Sequence, residues 1–294
     1  MRPSVLLQKH RNWPRNTSDA VPIADRGDLV RTVTATGFPD TVTSLPSRTF
    51  AQSVRRKLRL ARASVAFAAI ALIAPIWLMV PRRGLALLGW RLLLGGLRVR
   101  VTVAGRPSLD ETTLYAANHI SWLDIAVLGR LLNAGFVAKT EVAGWPLLGK
   151  LARRYGCAFI ARDRRTSAHR QAASVGDILR QQGSLILFPE GTTGLGNGVL
   201  PFRSSLFAAI DGLDDCVVQP VTLSYRADDG TPLTAAELRR VAWLDDDELL
   251  PHVRAFAAGA RIAVEVHFAE PLPAGDRKTL AAACQQIIAR RLNG

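Results

Sequence analysis

The 294-residue chain is 48% hydrophobic, enough to bury one substantial core with an extension to spare. Its net charge of +14 is lopsided: residues 1–100 hold 17 Lys and Arg against 4 Asp and Glu, and the rest of the chain is nearly neutral. Positive charge gathered around the most apolar part of a chain argues against a nucleic-acid partner and for an anionic membrane face.

Residues 1–51 are rich in Arg, Thr, Pro and Asp without apolar periodicity and read as a disordered basic tail. No apolar run follows Met1, so the tail is not a standard signal peptide. Arg55-Arg56-Lys57-Leu58-Arg59-Leu60-Ala61-Arg62 then leads into the uncharged run Ala63–Val80, closed by Pro81-Arg82-Arg83. That run is at the short end for a spanning helix, Pro75 interrupts it, and basic residues at both ends give no orientation. The next run, Gly84–Leu97, is broken by Arg91 and fits an amphipathic helix in the interface, with Trp90 near the headgroups. Residues 52–98 are therefore expected to form a membrane-anchoring helical segment, embedded or re-entrant rather than fully spanning. A pair of core helices in a soluble domain is the alternative.

From Val99 the pattern becomes strand alternating with helix. Expected strands are Val99–Ala104, Thr113–Ala117, Gly135–Ala138, Cys157–Ala161, Ser184–Phe188, Val217–Ser224 and Ile262–Phe268. Expected helices are Asp124–Leu132, Ser167–Gln182 (stopped by Gly183) and Leu280–Leu292. Residues 99–294 thus read as one α/β domain, a central mixed and mostly buried sheet flanked by helices. Cys157, Cys216 and Cys284 are far apart, with no C-x-x-C. They fit small buried residues in a reducing compartment and give no metal site.

Two polar turns follow strands. His119 and Asp124 stand five positions apart in Asn118-His119-Ile120-Ser121-Trp122-Leu123-Asp124, and Phe188-Pro189-Glu190-Gly191-Thr192 ends a later strand. Within one helix, His119 and Asp124 would face apart. With His119 in the turn and Asp124 in the first helical turn, the carboxylate can reach one ring nitrogen and leave the other free to take a proton. A hydroxyl activated in this way could attack a thioester, and no G-x-S-x-G elbow is present. The structural alternative is a capping box, with Ser121 as N-cap and Asp124 as its partner. Likewise, Pro189-Glu190-Gly191 reads either as a tight turn or as part of an anion or oxyanion site.

These residues resemble the glycerolipid acyltransferases typified by 1-acylglycerol-3-phosphate acyltransferase. Four blocks match in order over roughly residues 85–270: Asn118-His119-x4-Asp124, Gly156-Cys157-Ala158-Phe159-Ile160-Ala161-Arg162, Phe188-Pro189-Glu190-Gly191-Thr192 and Val217-Val218-Gln219-Pro220-Val221. The resemblance implies His119 as general base and Asp124 as its orienting partner. It also implies Arg162 on the acceptor's phosphate, and an acceptor site shaped by Glu190, Gly191 and Thr192. Lys139 and Arg203 are further anion candidates. The implied enzyme is membrane-bound and moves an acyl chain from acyl-CoA or acyl carrier protein to a lysolipid hydroxyl. Lysophosphatidic acid is the first choice of acceptor, and no metal or organic cofactor is needed beyond the donor. The implied location is the bacterial inner membrane, with the catalytic domain on the cytoplasmic side. Leu200-Pro201-Phe202-Arg203-Ser204-Ser205-Leu206-Phe207 and Val241-Ala242-Trp243-Leu244-Asp245-Asp246-Asp247-Glu248-Leu249-Leu250-Pro251-His252 also resemble a branch containing lyso-ornithine lipid acyltransferases. A non-enzymatic, membrane-anchored protein that binds anionic lipid is the remaining alternative.

Overall fold

The structure is a computed structural model that describes residues 48–80, 83–109, 111–160, 168–244 and 247–294. The tail before Arg48 and the candidate Arg162 lie outside the described residues.

Helices α1 (Arg48–Met79) and α2 (Arg83–Gly96) pack together as a hairpin. Small residues set their approach: a Cβ on Gly96 would lie 2.3 Å from the Ala66 Cβ. At 1.5 Å per residue, α1 is roughly 48 Å long. Its stretch Phe50–Met79 is long and apolar enough to cross a membrane, which makes it a candidate span. Phe50, Val54, Leu58, Val65, Leu72, Ile76 and Met79 are exposed along it. At about 100° per residue they share roughly a quarter of the helix circumference, a continuous apolar stripe turned away from the protein. Ala63, Ala66 and Trp77, on the opposite side, are buried.

The remaining elements in chain order are β1 (Val99–Ala104), β2 (Thr112–Ala117), α3 (Leu123–Leu131), β3 (Gly135–Lys139), α4 (Thr140–Ala143), α5 (Leu148–Arg154), β4 (Ala158–Ile160), α6 (Ala168–Gln182) and β5 (Ser184–Leu187). A 3₁₀ helix (Ser204–Ile210), β6 (Cys216–Ala227), α7 (Ala235–Val241), α8 (Leu249–Ala258), β7 (Ile262–Phe268), β8 (Leu272–Pro273) and α9 (Arg277–Asn293) complete them. The sheet runs β1-β7-β6-β2-β5-β3-β4, with β8 on β6. Strands β6, β2, β5, β3 and β4 are mutually parallel. Strand β7 is antiparallel to β6 and parallel to β1, so the sheet is mixed, as the sequence led us to expect.

Side chains alternate between two cores. Tyr115, Ala117, Ile186, Phe188, Leu223, Tyr225 and Val264 face one side, where α1, α2, α3, α7 and α8 contribute Ala63, Leu94, Leu123, Val241 and Phe256. Leu114, Ala116, Leu185, Leu187 and Val218 face the other, covered by α6, the 3₁₀ helix and α9 through Leu179, Phe207 and Cys284. Proline is rare inside central strands because it cannot donate to the ladder. Pro220 sits in β6 where the neighbour on one edge changes from β8 to β7. Its carbonyl accepts from Ala269 N at 3.0 Å on that edge.

Candidate active site

Strands β2 and β5 are adjacent and parallel, with Ala116 opposite Leu187, so the turns after them open at the same end of the sheet. Asn118 begins the first turn. Its side-chain amide donates to Leu223 O at 3.0 Å and accepts from Leu223 N at 2.8 Å, continuing the β2–β6 ladder beyond the last strand residue. His119 follows, its ring stacked on Phe188 at 3.9 Å between centroids and tilted by 15°. The Phe188 ring in turn stacks on Phe136.

Asp124 is fully buried, without a Lys or Arg partner among the described residues. Its charge is held by hydrogen bonds instead. Oδ2 accepts from Ile120 N at 2.7 Å and Ser121 N at 2.9 Å, and lies 2.8 Å from His119 Nδ1. Oδ1 accepts from the Tyr225 hydroxyl at 2.5 Å. With Asp124 Oδ2 as the acceptor facing it, His119 Nδ1 is the ring nitrogen placed to carry the proton and donate. Nε2 is left with its lone pair, and no described residue occupies it. The His119 side chain keeps 15% of its surface exposed, enough for a substrate atom to reach.

Only half of the expected capping box forms, the bond from Ser121 N to the Asp124 carboxylate. Trp122, already helical in conformation, is the N-cap of α3 with no side-chain hydrogen bond. The Ser121 Oγ is buried without a partner. The missing half is the bond from Asp124 N–H to the Ser121 hydroxyl: that N–H donates to Ser121 O at 3.0 Å instead.

Glu190 is only 3% exposed. Its oxygens accept from His119 N at 2.8 Å and Leu200 N at 3.0 Å, tying the second turn to the first. Burial pushes its carboxyl up to about 7, against the pull of those two N–H groups. Gly191 has φ +71°, and its N–H closes the turn on Phe188 O at 3.0 Å. A Cβ there would lie 3.1 Å from Arg203 Nε, so the glycine makes room for that guanidinium against the turn. The backbone adds two further ties, Gly194 N to His119 O at 2.8 Å and Trp243 N to Ile120 O at 3.0 Å. The Thr193 hydroxyl donates to Trp243 O. Lys139 stands half-buried at the carboxyl end of β3, on the same end of the sheet, where it is the N-cap residue of α4.

The structure therefore brings His119, Asp124, Glu190 and Gly191 together, with Thr192 next in the same turn. It adds Tyr225, Asn118 and Phe188, which the sequence had not singled out as site residues. No local signal marks Tyr225, which is 101 residues from Asp124 in the chain. Among the described residues no group of His, Cys, Asp or Glu gathers as a metal site.

Comparison with known proteins extends these observations. The acyltransferase family profile matches residues 99–224. A lyso-ornithine lipid O-acyltransferase of Rhodobacter capsulatus is 41% identical over 199 residues, covering 65% of this chain and 70% of that protein. A protein of the same name from Brucella abortus is 36% identical over 191 residues, covering 62% and 72%. A 1-acyl-sn-glycerol-3-phosphate acyltransferase of Neisseria gonorrhoeae is 37% identical over 129 residues, covering 43% and 50%. The crystal structure of a 1-acyl-sn-glycerophosphate acyltransferase from Thermotoga maritima superposes with a TM-score of 0.58. It covers 82% of this chain and 96% of that one at 18% identity, a likeness of fold.

Proposed function

Because the chain belongs to the acyltransferase family, we propose that it transfers a fatty acyl chain from an acyl-CoA or acyl carrier protein thioester to the hydroxyl of a lysolipid. The observation that carries the mechanism is the 2.8 Å contact of His119 Nδ1 with buried Asp124, which leaves Nε2 available. Nε2 takes the acceptor's hydroxyl proton as its oxygen attacks the thioester carbon. Asp124 stabilises the imidazolium that forms. Collapse of the tetrahedral intermediate breaks the C–S bond, and the departing thiolate takes the proton from Nε2. General-base assistance of this kind contributes about 10²–10⁴ in rate. The scheme needs no metal or bound organic cofactor beyond the donor. A lipid-binding protein without chemistry, the alternative left by the sequence, does not fit a member of this family.

For the acceptor we place lyso-ornithine lipid ahead of lysophosphatidic acid, reversing the preference drawn from motifs alone. The support is similarity: relatives named for that acceptor match about two thirds of the chain, whereas the Neisseria protein matches 43%. Lysophosphatidic acid remains the second reading because of that Neisseria relative. Arg203, lying on the Gly191 turn, suits either headgroup, since a guanidinium pairs with a carboxylate or a phosphate. Arg162 and Lys139 are proposed as further headgroup contacts. The exposed stripe of α1 supports seating the enzyme in a bilayer, which we assign to the bacterial inner membrane with the catalytic domain on the cytoplasmic side.

The test supplies the purified protein in vesicles with labelled acyl-CoA or acyl carrier protein thioester, and each acceptor in turn. Labelled ornithine lipid is the expected product. Phosphatidic acid alone would favour the second reading, and no transfer with either acceptor and both donors would defeat the proposal.

A further inference from the structure

Five arginines from four segments gather beside the N-terminal half of α1, where β7 and β1 begin. Arg59 and Arg62 lie on α1, Arg98 precedes β1, Arg240 is in the last turn of α7, and Arg261 precedes β7. Arg59 Nη1 donates to Ala258 O at 3.2 Å and to Gly259 O at 2.9 Å, at the end of α8. Arg240 packs on the same glycine: a Gly259 Cβ would fall 1.5 Å from its Nη1. Two guanidiniums thus share one residue with no carboxylate between them. Arg98 holds its proton less tightly than a free arginine, through burial first and then the charges of Arg59, Arg261 and Arg62.

Two carboxylates offset part of this charge, Asp228 toward Arg98 and Arg261 and Glu237 toward Arg240. Asp228 Oδ1 is shared by Arg261 Nε at 3.4 Å and Arg100 Nε at 3.8 Å. The Glu237 carboxylate accepts from the Thr234 backbone N–H and hydroxyl in the capping box of α7. Arg240 Nε and Nη2 are buried and have no hydrogen-bond partner among the described residues. Buried donors of a charged group are costly unless water or a ligand answers them.

We propose that this cluster binds the phosphate of an anionic phospholipid headgroup, at a site separate from the acyl-transfer centre. Planar guanidinium forks match phosphate oxygens, and several together match its charge. The membrane source follows from α1. Its apolar stripe faces outward along the helix while Arg59 turns toward the protein, and Arg62, at the stripe's flank, stands between the two. A phospholipid with its chains along the stripe would bring its phosphate to Arg62, at the edge of the cluster.

The site also has a route to the catalytic turns. Arg240 is soon followed by Ala242-Trp243-Leu244, a strap in which Trp243 N donates to Ile120 O and Trp243 O accepts from the Thr193 hydroxyl. His252 of α8 bonds Ala242 O at 2.9 Å and accepts from Trp122 Nε1 at 3.1 Å. A headgroup seated on Arg240 would steady the strap and with it the His119 turn, a consequence that rests on the acyl-transfer reading.

The experiment measures vesicle flotation of the full chain with phosphatidylcholine vesicles with and without phosphatidylglycerol. Arg98→Gln/Arg240→Gln is compared with Arg55→Gln/Arg56→Gln, which removes the same charge from α1 outside the cluster. Generic surface attraction predicts equal losses for the two pairs. The site predicts that the cluster pair loses at least about tenfold more affinity for the anionic vesicles, since charge-assisted hydrogen bonds go with it. Arg62→Gln/Arg261→Gln, both on exposed positions, guards against misfolding and should show the same excess loss. Equal losses for this pair and the control would overturn the proposal. So would saturation of the site by inorganic phosphate at constant ionic strength, which would make the ligand free phosphate. Flotation reads binding without turnover, so its failure leaves the acyl-transfer reading untouched. A separate turnover assay should show phosphatidylglycerol raising the rate several-fold in wild type and not in Arg62→Gln/Arg261→Gln.

Discussion

Replacing Asp124 by Asn separates what the carboxylate does for the fold from what it does for His119. Oδ2 faces three donors, Ile120 N, Ser121 N and His119 Nδ1, and Oδ1 faces the Tyr225 hydroxyl. An asparagine can put its amide oxygen in the Oδ2 position and keep all three. Its NH₂ then meets the Tyr225 oxygen, which can rotate to accept, and the tyrosine proton is left without an acceptor in a buried site. That loss is worth about 1–3 kcal/mol. For a folded unit of this size it lowers Tm by roughly 2–4 °C per kcal/mol, so a fall of about 2–12 °C is expected with folding still cooperative. Turnover should suffer more. A neutral amide cannot stabilise the imidazolium, and kcat should drop about 10²–10⁴-fold, equivalent to roughly 3–5 kcal/mol of barrier. Acyl transfer at saturating acceptor, run beside a thermal melt by circular dichroism, reads both numbers. A normal Tm shift with kcat within about threefold of wild type would refute the role given to Asp124.

Three further changes probe other parts of the account. The Glu190 carboxyl, raised from 4.5 to about 7, contributes its stability fully below the unfolded value and loses it as pH rises through about 7. The Tm advantage of wild type over Glu190→Gln should therefore shrink between about pH 5 and 8, and a gap that widens would contradict the buried placement. Tyr225→Phe leaves Asp124 Oδ1 without its donor and should cost about 1.5–3 kcal/mol in a denaturant melt, with a smaller loss of kcat than Asp124→Asn. Gly96→Val drives a side chain into Ala66 of α1, and partial separation of the helices should cost about 1–3 kcal/mol. Limited proteolysis in detergent should then cut between α1 and α2 faster than in wild type.

The parts of this site that could be read from sequence were local. His119 and Asp124 are five positions apart at a strand-to-helix turn, so spacing alone could bring carboxylate and ring together. Gly191 sits in a turn whose positive φ glycine chemistry anticipates. Tyr225 and the Asn118–Leu223 pair could not be read in this way, because they meet across β2 and β6, more than 100 residues apart. The capping box formed only in part because Asp124 N–H bonds the Ser121 carbonyl rather than its hydroxyl, a choice of backbone conformation that spacing does not show. Strand β6 continues past Ser224 to Ala227 because β7 takes over the pairing on its other edge, a tertiary event. Helices α4, α5 and α7 span seven residues or fewer, too short for an apolar period to show. Asp247 shows the same limit: it pairs with both terminal nitrogens of Arg239, eight positions away, and precedes α8, which begins at Leu249.

The central claim is that His119 Nε2 removes the acceptor's proton, and the most direct measurement is labelled acyl transfer by His119→Ala in the same vesicles as wild type. His119 stacks on Phe188 but remains partly exposed, so the variant should fold with a Tm close to wild type. The account predicts a fall in kcat of at least about 10²-fold with the melt nearly unchanged. Near-normal transfer by a folded His119→Ala protein would contradict it.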